Sequence, residues 1–250
     1  PDGVYQTVHG FGDEAGAPLV EHADVAVISF TGSCEVGRWI AETAGRRLAK
    51  VCLELGGKNP LIVCDDADLQ NAVMWTMGSA FSNAGQRCAA GSRILVFDAV
   101  YDTFRAMLLE ATARLKVGTA DADDYGPVIN GVQMTSMLAF VERATASGAK
   151  VLTGGHQMTG NQYGGGFFVA PTILEHVGHN DEISQSELFG PITILYRVSG
   201  FDEAIALAND SPFGLTASIH TRDINRAMTF IDRIRSGVAV VNGGTYGSEP

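Results

Sequence analysis

Gly85-Gln86-Arg87-Cys88-Ala89-Ala90-Gly91-Ser92 joins an apolar helical stretch to an apolar strand, and the fold is read outward from this junction. Upstream, Leu69, Ala72, Val73, Thr76, Met77, Ala80 and Phe81 recur at helical spacing, which predicts a largely buried helix over 69–81. Downstream, Arg93-Ile94-Leu95-Val96-Phe97 follows a glycine turn and predicts a buried strand. Cys88 then sits on a small-residue loop between two rigid elements, where a reactive side chain can be held firmly and still be reached. A lone cysteine is more often a buried packing group. The reading turns on a second stretch, Leu53-Glu54-Leu55-Gly56-Gly57-Lys58-Asn59-Pro60, which ends a strand on a carboxylate.

Composition narrows the classes of function. The 250 residues can bury a sizeable core as one or two domains, and 46% hydrophobic with 18% charged residues suits a globular chain. No apolar run approaches the roughly 18 residues that a membrane span needs. The balance of 17 basic against 28 acidic residues gives a formal net charge of −11, which repels phosphate backbones and argues against a nucleic-acid partner. Cys34, Cys52, Cys64 and Cys88 form no C-x-x-C pair, a pattern of reduced thiols and hence of a cytoplasmic protein, with Cys52 and Cys64 expected as inert packing inside strands. His176-x-x-His179 is the only close histidine pair and has no third ligand in view, so no metal site is expected.

Val4 to Val8 alternates as a strand, and Gly10-Phe11-Gly12-Asp13-Glu14-Ala15-Gly16 after it is close to the G-x-G-x-x-G dinucleotide fingerprint. The acidic residue expected about 20 positions on is replaced by Ser29-Phe30-Thr31. Val25 to Phe30 is an uninterrupted apolar strand of the kind found in parallel sheets covered on both faces. It runs into Thr31-Gly32-Ser33-Cys34-Glu35-Val36-Gly37 and a helix reaching about Leu48. A strand, a glycine turn and a hydroxyl at a helix N-terminus make an anion site, with Ser33 either capping the helix or bonding a phosphate oxygen. Lys50 to Leu55 delivers Glu54 at the carboxyl end of a strand expected to be buried, where ligands of open α/β sheets bind. Further strands are predicted at 60–64, 93–97, 150–153, 167–169, 192–198, 215–220 and 238–241. Helices are predicted at 68–82, 101–116, 131–147, 201–208 and 223–235, and the loop Gly154 to Gly166 is read as a hairpin connection. Strands alternating with helices imply crossovers and a mostly parallel sheet, an α/β fold.

Together, Phe81-x-x-x-Gly85-Gln86-x-Cys88 and Leu53-Glu54-Leu55-Gly56-Gly57-Lys58 resemble the nucleophile and glutamate motifs of the aldehyde dehydrogenase superfamily, in the same order and 88 − 54 = 34 positions apart. Glu187-Leu188-Phe189-Gly190-Pro191 looks like its E-x-F-G-P motif, and Phe30-Thr31-Gly32-Ser33-x-x-x-Gly37 like its cofactor-binding turn. The resemblance implies part of a Rossmann-type cofactor domain over residues 1–57 and an α/β catalytic domain over 58–250. It implies that Gly12, Phe30, Thr31, Gly32, Ser33, Leu55, Gly56, Glu187 and Phe189 meet NAD or NADP. Arg87, Ala89, Asn242 and Thr245 fall at the implied substrate pocket. It also implies that the chain is about half of a longer polypeptide, that this longer protein is a homodimer or homotetramer, and that the present piece alone is nearly inactive.

The implied chemistry is oxidation of a small aldehyde to a carboxylic acid, with Cys88 as nucleophile and Glu54 as general base. A thiol is intrinsically very nucleophilic even when only a small part is ionised. The alternatives are a CoA-acylating semialdehyde dehydrogenase, in which CoA replaces water, and a non-catalytic member of the fold. A cysteine hydrolase is disfavoured because no histidine lies in the active-site stretches.

Overall fold

The first unit, Pro1–Gly56, is built around two strands. This computed structural model describes residues 1–246, so residues 247–250 of the expected second domain lie outside the described residues. A π-helical turn (Gly12–Gly16) leads into the short helix α1 (Ala17–Glu21), then β1 (Val27–Thr31), α2 (Cys34–Gly45) and β2 (Lys50–Glu54). β1 and β2 pair in parallel from Val27 opposite Lys50 to Thr31 opposite Glu54, and α2 packs on both. Three expectations are corrected here. Val4 to Val8 is not a strand; its side chains are exposed and, among the described residues, no neighbouring strand completes its hydrogen bonds, which alternation alone cannot supply. The π-helical turn at Gly12 therefore lacks the preceding strand that a dinucleotide fingerprint requires. β1 and β2 are also not buried: their residues are exposed or half-exposed, because a two-stranded sheet has too few neighbours to be covered, and this leaves Cys52 and Glu54 exposed.

The second unit begins at Gly57 and holds a seven-stranded sheet. Its strands are β3 (Asn59–Val63), β4 (Gly91–Phe97), β5 (Lys150–Thr153), β6 (Thr172–Glu175), β7 (Ile192–Val198), β8 (Thr216–His220) and β9 (Val238–Val241), ordered β5-β6-β7-β4-β3-β8-β9. All neighbours run parallel except β5, which pairs antiparallel with β6. β3 and β8 are buried along their whole length, β4 and β7 all but for Ser92 and Arg197, as strands covered on both faces must be. The cover comes from α3 (Leu69–Phe81), α4 (Asp98–Ala113), α5 (Gly131–Ala146), the short α6 (Glu182–Gln185), α7 (Phe201–Asn209) and α8 (Ile224–Arg233). Leu61, Ile62, Ile94, Leu95, Phe81, Phe104, Leu108, Ile173 and Phe230 lie at the centre of one continuous core. The expected strand at 167–169 is replaced by two isolated bridges, Val128 with Phe167 and Gln157 with Val169, and the true strand β6 starts after Pro171. Among the described residues no helix is long and apolar enough to cross a membrane.

Candidate active site

α3 ends at Phe81, and the chain then turns through three successive left-handed residues, Asn83 (φ 53°), Ala84 (φ 55°) and Gly85 (φ 64°). Such a run is costly for side-chain-bearing residues and persists only where its surroundings hold it. Here Gln86 N–H donates to the Asn83 carbonyl at 3.0 Å, Asn83 Nδ2 returns a bond to Gln86 O at 3.1 Å, and Ile129 N–H donates to Gln86 Oε1 at 2.9 Å. Gly85 is obligatory: besides its φ, a Cβ would lie 2.1 Å from the Gly190 carbonyl oxygen. The strained turn thus presses the Cys88 loop against the Glu187-to-Pro191 turn, where Phe189 is itself left-handed at φ 55°.

Cys88 emerges from this turn just before β4, exposed at its amino end. The next three carbonyls are each held by a side chain. Asn59 Nδ2 donates to Cys88 O at 2.7 Å and to Ala90 O at 2.9 Å, and Thr245 Oγ1 donates to Ala89 O at 2.6 Å. Thr216 joins these two clamps, its N–H donating to Asn59 Oδ1 at 3.2 Å and its hydroxyl to Thr245 O at 2.9 Å. Asn59, Thr216 and Thr245 are all buried, so the network is satisfied within itself and rigid. Among the described residues the Cys88 N–H donates to no acceptor, which leaves it available beside the thiol. Gly57 completes the seat, since a Cβ there would fall 2.3 Å from Cys88 O.

Beside the loop lies a cleft lined by Gly57, Lys58, Arg87, Glu187 and Phe189. Glu187 Oε1 accepts the Gly57 N–H at 3.0 Å. Burial raises the Glu187 carboxyl above the usual range, against the Gly57 hydrogen bond and the Lys58 charge. Lys58, 2% exposed, is drawn down to about 7, first by burial and then by the Arg93 guanidinium, with Glu187 opposing. Arg93 is buried without a carboxylate; it donates to the carbonyls of Lys58, Leu207 and Ala208, the last two at the negative end of α7.

The structure brings Arg87, Cys88, Ala89, Glu187, Phe189 and Thr245 into this second unit's site. Thr245 is fully buried behind the loop rather than on an open pocket wall. Asn242, at φ 55°, spends its amide on the Thr221 backbone and closes the end of β9. Sequence reasoning missed Asn59, Lys58 and Thr216; the signal was the polar Asn59 opening a strand otherwise wholly apolar. Glu54 ends β2 as the carboxyl-end rule expects, while Cys88 sits on the loop at the amino end of β4. In the first unit, Thr31, Gly32 and Ser33 form an exposed turn at the start of α2, where Ser33 Oγ accepts the Val36 N–H at 3.2 Å. A Cβ on Gly37 would come within 2.5 Å of Leu55 Cδ2, so α2 packs directly on the residue following β2. Exposed N-terminal N–H groups with a hydroxyl fit a pyrophosphate, and the partly exposed Phe189 ring beside the Glu187 carboxylate fits a ribose bearing a flat heterocycle. His176 and His179 lie elsewhere, His179 stacked on Tyr196 at 4.8 Å, and no group of three metal-binding side chains occurs among the described residues.

The family model described as "Aldehyde dehydrogenase family" matches residues 1–250. The alpha-ketoglutaric semialdehyde dehydrogenase of Bacillus subtilis (strain 168) is 39% identical over 251 residues, covering 100% of this chain and 51% of its own. An aldehyde dehydrogenase of Aspergillus niger is 39% identical over 245 residues, covering 97% of this chain and 48% of its own. Among solved structures, betaine aldehyde dehydrogenase from Staphylococcus aureus in complex with NAD+ superimposes with a TM-score of 0.91 at 34% identity, covering 94% of this chain and 47% of that one. Lactaldehyde dehydrogenase from Escherichia coli gives 0.91 at 36% identity, covering 96% and 50%. The chain spans about half the length of the relatives it matches.

Proposed function

We propose, since the chain belongs to the aldehyde dehydrogenase family, that the full-length protein oxidises an aldehyde to a carboxylic acid with NAD or NADP, using Cys88 as nucleophile and Glu54 as general base. One observation carries this reading: an exposed thiol stands on a loop whose three following carbonyls are clamped from behind. The Cys88 sulfur adds to the aldehyde carbon, its proton leaving to a base, and the new oxyanion is met by the free Cys88 N–H. One such donor is worth about 2.7–4 kcal/mol in the transition state. The dinucleotide, when bound, supplies the acceptor for the hydride that the carbinol carbon gives up, which leaves a thioester on Cys88. Glu54 takes a proton from water, the hydroxide adds to the thioester carbonyl, and the carboxylic acid departs as the Cys88 thiolate is restored. A positioned base of this kind contributes roughly 10²–10⁴ in rate.

Residues 1–57 are assigned to cofactor binding, with the turn at Thr31, Gly32 and Ser33 under the pyrophosphate, and Glu187 and Phe189 at the nicotinamide riboside. The relatives support this through the NAD+ held by the Staphylococcus aureus enzyme. The full-length protein is proposed to act as a homodimer or homotetramer in the cytoplasm. The test follows NADH and NADPH absorbance with the full-length protein and a panel of aliphatic and aromatic aldehydes. Turnover should vanish in Cys88→Ala and fall at least 100-fold in Glu54→Gln. Turnover only on adding CoA would replace water by CoA as the acyl acceptor. Undiminished turnover in Cys88→Ala would overturn the assignment.

A further inference from the structure

We propose that Arg87 selects the substrate, and that the substrate class is an aldehyde bearing a carboxylate at its far end, an ω-oxo acid. This rests on Cys88 being the nucleophile. Arg87 immediately precedes the thiol and is exposed. Eight other arginines are ion-paired with Asp or Glu, and Arg47 and Arg93 are spent on backbone carbonyls. Among the described residues Arg87, like Arg38 and Arg235, has no such partner. Among the described residues, the carboxylate that lines the same cleft, Glu187, accepts the Gly57 N–H and makes no ion pair with Arg87.

The guanidinium is nevertheless fixed. It lies over the Tyr246 ring, 5.4 Å from the centroid. Tyr246 is held in turn by Trp75, with ring centroids 6.0 Å apart, and by Gly78, where a Cβ would come within 2.4 Å of the phenol oxygen. The neighbouring Thr245 receives its own anchor, its N–H donating to Ser79 Oγ at 3.1 Å, and caps Ala89 O. The segment 245–246 thus grips the loop on both sides of Cys88, at Arg87 and at Ala89. Stacking on an aromatic face steadies a guanidinium without neutralising it, and leaves its fork of N–H donors for a carboxylate. A short aldehyde whose carbonyl reaches the thiol carries its other end toward this group. A neutral aldehyde of the same length gains nothing from it.

The test uses the full-length enzyme and compares succinic and glutaric semialdehydes with butanal and pentanal in wild type, Arg87→Lys and Arg87→Gln, alongside iodoacetamide alkylation of Cys88. The wild type should favour the oxo acids. Arg87→Gln should lower kcat/KM for them about 100-fold, the loss typical of removing one partner of a charge-assisted pair. The wild-type preference for the oxo acids over butanal and pentanal should collapse with it, and Arg87→Lys should recover part of that preference. Equal treatment of both classes by the wild type would overturn the proposal. So would an Arg87→Gln variant that slows both classes and the alkylation together, since Arg87 would then serve the thiol. Absence of any Cys88-dependent oxidation, neutral aldehydes included, would instead remove the underlying assignment and this proposal with it.

Discussion

Thr245 and Lys58 show how much the site depends on single buried groups. Thr245→Val keeps the shape but removes the donor to Ala89 O, leaving a buried carbonyl unpaired at about 1–3 kcal/mol. The expected result is a lowered urea midpoint and a lowered kcat, both restored in Thr245→Ser; a Val variant with unchanged kcat would show that the clamp does not place the thiol. Lys58 supplies the pH dependence. Its folded value of about 7 lies below the 10.5 of the free side chain, with burial the largest cause. Between those values the unfolded chain binds more protons than the folded one, so stability rises with pH across this window. The urea midpoint should therefore increase from pH 7 to 9.5, and Lys58→Met should flatten the rise. Neither residue announced its role in sequence: Thr245 looked like a pocket wall, and Lys58 was one letter of a motif.

At the scale of elements, the turn between α3 and β4 is the critical joint. Gly85→Ala adds both the left-handed cost of about 1–2 kcal/mol and a clash with the Gly190 carbonyl. The expected outcome is loss of activity exceeding the loss of stability, because Cys88 is displaced along with its turn; thermal melting and kcat measured on one preparation check this. The flanking helix and strand were readable because 69–81 has helical periodicity and 93–97 is a continuous apolar run. β6 was not, since Phe167-Phe168-Val169 carries the stronger strand composition while the hydrogen-bonding partner on β7 lies opposite Thr172 to Leu174. Likewise Val4 to Val8 has the alternation of a strand and, among the described residues, no neighbour to pair with. Periodicity reports what a segment can do; the neighbour decides whether it does. The polar clamp was illegible for the same reason, as Asn59, Ala89, Thr216 and Thr245 meet only after the sheet is assembled.

For the whole molecule, the two units differ in how they are held. The second has strands covered on both faces, whereas the first has a two-stranded sheet with exposed residues, and such sheets are marginal by themselves. In this 250-residue chain, amide hydrogen exchange should release β1 and β2 well before β3, β4 and β7; equal protection would contradict the exposure of the first pair. The clamp on the Cys88 loop also sets a clock. Thr245 lies 156 positions beyond the Ala89 carbonyl it caps. A ribosome adding about 5–20 residues per second needs roughly 8–30 s to deliver it. Throughout that interval the nascent chain already displays Cys88 without the Thr245 half of its clamp. An aldehyde that adds to the thiol then can leave again, but a peroxide that carries it past the sulfenic acid cannot be undone. Oxidative stress during synthesis would thus be recorded as an irreversibly oxidised fraction of newborn chains, while the same stress met by the finished fold would find the sulfur in its final setting.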